Sequence, residues 1–343
     1  MTVLVTGVAG RVGSLLADEL TRAGYDVRGM VRPGGRAPDD ALARKVELVE
    51  ASLGDTAAIE KALRGVDTVV HLAAQIVIGD SPVDEYYDTN VLGTLRLLEA
   101  TAGQASPVRR FVYASTDNTY GPARPAANPI TEKHPQVPGD YYGTSKLLGE
   151  TLVRNYQRLY GLPFTILRYG SVVAPHETVG LFRLEWVRAF LTGHVVAGKR
   201  SNLCGLLSPG DDPVGALDEA TGQRDDNPAV VLTGPDREPW AIHLTDVRDV
   251  VAGTLLAMEH PGAAGEAFNI GGPGTTTFTA AAEVLNRHFG TGTVVARLPV
   301  KLAFELSTDK ARRVLGYAPK WDFDGMLTTA LSESPARSVP ASG

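Results

Sequence analysis

Cysteine is almost absent from this chain: Cys204 is the only one in 343 residues. A single thiol excludes an intrachain disulfide and a cysteine-built metal cluster. A surplus of positive charge is missing as well. Lys and Arg number 33 against 39 Asp and Glu, for a formal net charge of -6, the wrong sign for a nucleic-acid binder. The pairs Arg109-Arg110, Lys199-Arg200 and Arg312-Arg313 read as solvated surface. No window approaches the ~18 apolar residues of a membrane span. The seven histidines fall in no ligand spacing such as His-Glu-x-x-His, so no metal is expected. "TVLVTG" (2–7) already reads as a buried strand rather than a leader, and a cytoplasmic location is expected.

With 43% hydrophobic residues, the chain can bury the core of one large α/β domain or of two lobes. Its first half alternates short apolar runs with amphipathic stretches, the pattern of a parallel sheet covered by helices. Strands are expected at 2–7, 26–32, 46–51, 67–74, 110–116 and 163–170, with helices at 11–23, 55–64, 83–102 and 142–160. Beyond about residue 175 the pattern loosens. Residues 199–230, rich in Gly, Pro and Asp, read as a long loop or lid. A strand at 229–234 and a helix at 245–260, capped by Thr245 or Asp246, restore order. "EAFNIGG" reads as a further strand, and the tail from about 331 to 343 as disordered.

"VTGVAGRVGSLLADEL" sets Gly7, Gly10 and Gly13 between the first strand and the first helix. There Gly7 permits a tight turn, Gly10 lets backbone approach a pyrophosphate, and Gly13 lets helix pack on strand. The helix N-terminus offers free N–H groups and its positive dipole to the phosphates. An acidic residue at the end of the second strand would hold the ribose hydroxyls of NAD. Val31 stands there, followed by Arg32, suited to a 2′-phosphate. NADP is therefore the expected cofactor, with NAD as the alternative.

"GDYYGTSKLLGE" (139–150) carries two adjacent tyrosines. Residues four apart share a helix face, so Tyr142 and Lys146 are neighbours and Tyr141 is not aligned with the lysine. A cation beside a phenol favours the phenolate, which predicts a Tyr142 pKa lowered towards neutrality.

These stretches resemble the extended short-chain dehydrogenase/reductase superfamily, also called the NAD-dependent epimerase/dehydratase family, over roughly residues 2–320. The carriers are "TGVAGRVG", "VVHLAA", "NVLGTLRLLEA", "FVYASTDNTYG", "YYGTSK", "ILRYGSVVAP", "IHLTDVRDVV" and "FNIGG". The resemblance implies an α/β fold, a Rossmann-type doubly wound parallel sheet with a smaller C-terminal substrate-binding lobe. The dinucleotide domain would span 1–175 with returning elements about 229–260, and the lobe and lid 176–228 and 261–330. It implies a catalytic set of Thr116, Tyr142 and Lys146, with Ser115 the runner-up to Thr116. Cofactor contacts would come from Gly7, Gly10, Arg11, Val12, Gly13, Arg32, Ser52, Leu53, Leu72, Ala73, Ala74, Asn90, Tyr142, Lys146 and Tyr169. Substrate contacts would come from Gln75, Ser115, Asp117, Asn118 and Ser171. A homodimer acting on a small molecule is the implied assembly.

The chain departs from parts of the family. Sugar-nucleotide dehydratases carry Thr-Asp-Glu where this chain has Thr116-Asp117-Asn118, which removes the base that eliminates water. Ser171 and Pro239 stand where nucleotide-sugar epimerases hold a diphosphate with Asn and Arg, and Arg237 is two residues away. These substitutions favour hydride transfer on a small sugar, polyol or carbonyl compound, with a sugar-nucleotide epimerase as the alternative. A non-catalytic dinucleotide sensor is the alternative of another class. "STDK" (307–310) matches the Ser-x-x-Lys of serine β-lactamases without their companion motifs and reads as chance.

Overall fold

The apolar run at the start of the chain forms β1 (Thr2–Thr6) in the interior of a seven-stranded parallel sheet. The structure, a computed structural model, describes residues 1–76, 82–222, 224 and 226–333. On one side of β1 lie β2 (Asp26–Val31) and β3 (Glu47–Glu50). On the other lie β4 (Thr68–His71), β5 (Arg110–Thr116), β6 (Phe164–Tyr169) and a last strand, Glu266–Ile270. The winding reverses between β1 and β4, the point where open α/β sheets bind ligands. Every residue of β5 and β6 is buried, as strands covered on both faces require.

Helix α1 (Arg11–Arg22) and the helix Val247–Glu259 cover one face, burying Leu16, Leu20 and Val250 against Val3 and Val5. Helices Thr56–Ala62, Gly93–Ala102 and Tyr141–Tyr160 cover the other, around Ile59, Leu97, Val153 and Phe111. A third apolar cluster gathers Phe182, Leu191, Trp240, Phe278 and Phe323 into the core of a smaller lobe. Phe182 meets Phe278 and Phe323 edge-on, with ring centroids 4.8 and 5.1 Å away.

Several expected elements change on folding. β4 ends at His71 because the next two amides, Leu72 and Ala73, turn to donate to the Thr6 hydroxyl. The expected helix 83–102 is Val83–Tyr87, a widened π turn Asp88–Leu92, and Gly93–Ala102. The strand Ala229–Thr233 does not return to the main sheet. It pairs with Thr293–Arg297 in the lobe, while Glu266–Ile270 joins the main sheet beside β6. The stretch read as a loop or lid holds the helix Pro213–Thr221, started by Pro213 and capped by Asp212. Asp246 caps the helix that follows. Leu331–Glu333, expected in a disordered tail, belong to the helix Phe323–Glu333, and 334–343 lie outside the described residues.

The helix Tyr141–Tyr160 is fixed to the sheet by charge as well as packing. Arg168 on β6 meets Glu150 on this helix through two bonds, Nε to Oε1 at 2.9 Å and Nη2 to Oε2 at 2.6 Å. Their side chains are 3% and 1% exposed, so removing one partner strands a charge in the interior. Burial pushes the Glu150 carboxyl up, but hydrogen bonding and charge from Arg168, with bonds from Ser115 and Gln136, hold it below the ordinary glutamate value.

Glu150→Gln should therefore cost about 3–5 kcal/mol in urea unfolding, as for other broken buried pairs. Because the folded pKa is depressed, this contribution is complete above the unfolded glutamate pKa. It fades as pH falls through the folded value, so the wild type should lose in acid an increment the variant lacks. A variant within about 1 kcal/mol of wild type would show the pair to be replaceable, since isolated exposed pairs contribute that little.

Candidate active site

The glycine turn meets its steric demands at close quarters. Gly7 has φ +72°, and a Cβ there would sit 2.9 Å from the Ala73 nitrogen. A Cβ on Gly13 would lie 2.2 Å from the Gly7 carbonyl oxygen. The α1 N-terminus has Gly10 as its cap, no side-chain cap bond and no acidic residue in its first turn. Its free amides and dipole are thus available to an anion, and this cradle fits a dinucleotide pyrophosphate. Arg11 leaves the turn sideways, donating to the Val172 carbonyl at 3.1 Å and pairing with Glu177.

The expected catalytic residues converge at the carboxyl end of β5. Thr116 ends that strand, caps the short turn Asp117–Tyr120, and lies close enough to the Tyr142 phenol to lower its pKa. Its hydroxyl also lies 3.1 Å from Asp117 Oδ1. Gly143 makes the approach possible, because a Cβ there would stand 2.5 Å from the Asn118 carbonyl oxygen. Tyr141 turns to the surface at 37% exposure, whereas Lys146 is 2% exposed on the inner face. Asp140 caps the helix by accepting from the Gly143 amide at 2.6 Å.

Lys146 has two neighbours that spacing along the helix does not reveal. Its ammonium sits 4.3 Å above the Tyr113 ring, and Gly149 makes room for that tyrosine: a Cβ there would lie 2.0 Å from its Oη. Beside them, His71 bridges the Thr6 and Thr94 hydroxyls at 2.7 and 3.0 Å. Burial, then the Lys146 charge, push its pKa down to about 3.

The charge balance differs from the expectation. Burial, followed by the Asp117 and Asp140 charges, pushes Tyr142 above the ordinary phenol value, and the nearby Thr116 hydroxyl offsets only part of this. The lowering expected from Lys146 is not found, because burial also drives the lysine down to about 7 and weakens it as a fixed cation at neutral pH. Asp117 rises to about 7, mainly by burial, and Asp140 to about 6 for the same reason.

Other expected residues divide into two groups. Asn90 donates to the Gln75 carbonyl and to Ser145 and accepts from the Gln75 amide, tying the loop after β4 to the Tyr141–Tyr160 helix. Ser52 and Leu53 lie just past β3, and Leu53 packs where a Cβ on Gly93 would be 2.9 Å away. Arg32 is exposed just beyond β2, with no acidic partner among the described residues. Three side chains point elsewhere. Ser115 donates to Glu150 at 2.6 Å, Tyr169 meets Thr254 at 2.8 Å, and Lys310 of the Ser-x-x-Lys match is held by Glu266.

Asp117, Asn118 and Ser171 line a cavity of about 570 Å³ between the sheet edge and the lobe. Val173, Leu181, Leu244, Phe304, Trp186 and Phe190 add apolar lining to it. The last two rings stack at 5.0 Å. This apolar lining and Asp140 went unread in the sequence. Asp140 carried the one available signal, an N-cap aspartate before a helix.

A parallel doubly wound sheet, a glycine cradle at its first turn and a Tyr-x-x-x-Lys helix beside Thr116 define an enzyme fold of the extended short-chain dehydrogenase/reductase type. The chain belongs to the NAD dependent epimerase/dehydratase family, whose sequence pattern matches residues 3–271. It is 30% identical over 348 residues to a UDP-glucose 4-epimerase of Rhizobium leguminosarum bv. trifolii, a match covering 96% of each chain. It is 37% identical over 181 residues to a putative UDP-glucose 4-epimerase of Methanocaldococcus jannaschii. That match covers 51% of this chain and 57% of that protein. Among solved structures, a short-chain dehydrogenase/reductase superfamily protein of Agrobacterium tumefaciens with bound NAD is 32% identical with a TM-score of 0.82. The match covers 97% of this chain and 96% of that one. A Thermotoga maritima UDP-glucose 4-epimerase with UDP-glucose is 26% identical with a TM-score of 0.71, covering 96% and 98%. The chain is therefore an enzyme family member rather than a bare dinucleotide sensor, and among its described residues no helix is long and apolar enough to cross a membrane.

Asp117→Asn tests the charge balance. Removing that carboxylate should shift the alkaline limb of the activity–pH profile to lower pH, because its charge raises the Tyr142 pKa. A limb that stays in place would show that the two groups do not communicate, and one that moves up would contradict the sign of the interaction.

Proposed function

We propose that this enzyme moves a hydride between a nicotinamide cofactor and a carbinol or carbonyl carbon of a small, non-nucleotide compound. The observation that carries this reading is the poverty of cations around the cavity. Among its described lining residues, Arg200 is the one permanently charged cation, against the carboxyls of Asp117 and Asp140. Burial holds His194 neutral by pushing its pKa down to about 4. Ser171 lines the cavity without offering a charge, and Arg237 sits exposed in the turn 234–238 outside the lining. A diphosphate needs charge-assisted donors, and this wall supplies few.

The cofactor would be held by Gly7, Gly10, Val12 and Gly13 at the pyrophosphate and by Lys146 at the nicotinamide ribose. When bound, it supplies the hydride acceptor or donor. In carbonyl reduction the neutral Tyr142 phenol would give its proton to the carbonyl oxygen as the carbon gains hydride; in alcohol oxidation the Tyr142 phenolate, formed by loss of that proton to solvent, would take the hydroxyl proton. Thr116 binds the same oxygen and fixes its distance from the phenol. Asn90 acts through Gln75 and Ser145, positioning the loop beside the cofactor.

A second reading, transient oxidation of a sugar nucleotide returned as its epimer, is favoured by the UDP-glucose 4-epimerases among the relatives. Net reduction of cofactor by free alcohols separates the two. The expected result is turnover without uridine or thymidine diphosphate and no binding of either by calorimetry. Micromolar binding of such a nucleotide with cofactor present would establish the epimerase reading instead.

Tyr142→Phe should lower turnover by about 10²-fold or more, with folding unchanged, while Tyr141→Phe should stay close to wild type. Collapse in the Tyr141 variant alone would reassign the acid. The cofactor choice rests on Val31 and Arg32. Arg32→Ala should weaken NADP more than NAD, losing a charge-assisted bond of about 1.5–3 kcal/mol. Equal losses, or tighter binding of NAD by the wild type, would give the role to NAD, the cofactor bound in the Agrobacterium relative.

A further inference from the structure

Arg11 is the first residue of α1, directly after the Gly10 cap. A cation is out of place there, because the N-terminal end of a helix dipole is positive and favours anions. Its backbone amide belongs to the free N–H groups that make the cradle for a pyrophosphate. Its side chain takes another direction. Nη1 donates to the Val172 carbonyl at 3.1 Å, and Nη2 pairs with Glu177 Oε1. Among the described residues, no other side-chain hydrogen bond joins the glycine turn or α1 to residues 171–181.

Both targets belong to the wall of the cavity. Val172 is the middle of the short strand Ser171–Val173, which pairs with Leu244–Asp246. Its neighbours Ser171 and Val173 line the cavity, as do Leu181 and Leu244. Glu177 sits in the turn Pro175–Val179, and its other oxygen accepts from the Ala174 amide at 2.7 Å. One side chain therefore holds the stretch 172–177 at two points.

The side chains of Arg11 and Glu177 are 43% and 31% exposed, so the pair adds little to stability. Its effect is on position. A dinucleotide that fixes the amides at the start of α1 fixes the root of Arg11 with them. Val172 and Glu177 then lose freedom that they keep in the cofactor-free chain. A molecule entering the cavity has less ordering left to do, and by linkage a filled cavity tightens cofactor in equal measure.

We infer that Arg11 is a positioning residue, coupling dinucleotide binding at the glycine turn to the order of the cavity wall through Val172 and Glu177. The inference rests on the cradle holding a dinucleotide. It is indifferent to whether the substrate is a free alcohol or a sugar nucleotide.

Hydrogen exchange of the full chain, read by mass spectrometry with and without saturating NAD or NADP, is the test. The peptides compared are 7–16 and 174–180, the second lying past the strand Ser171–Val173. In the wild type, cofactor should slow exchange in both, by about fivefold or more in 174–180. Arg11→Met keeps the backbone amide and the apolar stem, and Glu177→Gln keeps an oxygen for the Ala174 amide. Both variants should bind cofactor within about tenfold of wild type and still show slowing in 7–16. The slowing in 174–180 should fall below about twofold in each. Arg11→Lys, which keeps a charge for Glu177, should restore about half of it.

Equal slowing of 174–180 in the wild type and in Arg11→Met would overturn the inference, because cofactor would then order the wall without Arg11. No slowing there in the wild type would do the same. Faster exchange would as well, since it is the sign of a phosphate drawing Arg11 away from Glu177. Cofactor affinity lost by more than about tenfold in Arg11→Met would assign the guanidinium to the cofactor itself and overturn the coupling. Wild-type protein that binds neither cofactor by calorimetry would refute the cradle and this inference together. Failure of every alcohol to reduce cofactor would refute the dehydrogenase reading and leave the coupling standing.

Discussion

Arg168 on β6 and Glu150 on the Tyr141–Tyr160 helix share a two-point ion pair almost free of solvent, and its geometry spreads outward from there. Arg168 also donates to Tyr120, which donates to Asn269 on the last strand. Ser115 and Gln136 fill the remaining acceptor positions on Glu150. Such a network is costly to desolvate and valuable only when complete, so it admits one placement of the helix against β5 and β6. Tyr142 and Lys146 ride on that helix, two turns and one turn before Glu150. Their distance from Thr116 is therefore set by a pair that takes no part in chemistry.

Burial then decides the proton chemistry. The phenol and the lysine both resist charge in this interior, so one is pushed up and the other down. The same desolvation raises Asp117 and Asp140 into the neutral range. Lys146, Asp117 and Asp140 thus sit near neutral pH in one small volume, while Tyr142 stays protonated there. The Tyr113 ring under Lys146 helps by stabilising the ammonium without adding an acceptor that would compete for it.

The two halves of the molecule answer different questions. The sheet and its glycine turn hold a dinucleotide, a task shared across the family. The lobe core around Phe182 and Phe278 carries the helix Leu184–Ala197, whose Trp186 and Phe190 face the cavity. Changing that helix changes which molecules fit without disturbing the cradle, which is how one fold hosts many substrates.

The sequence by itself determined what is local. Gly7, Gly10 and Gly13 were legible because a positive φ and close backbone approaches exclude other residue types within a few positions of one another. Tyr142 and Lys146 were legible because four-residue spacing fixes a shared helix face, and the main strands because they are apolar runs. Tertiary structure alone decided the rest. Asp140 meets Asn202 across 62 residues, and Ala229–Thr233 pairs with a strand from the far end of the lobe rather than with the main sheet. The shift of Tyr142 also went against the local expectation. A pKa sums desolvation and charge over everything nearby in space, while a four-residue spacing reports only one neighbour.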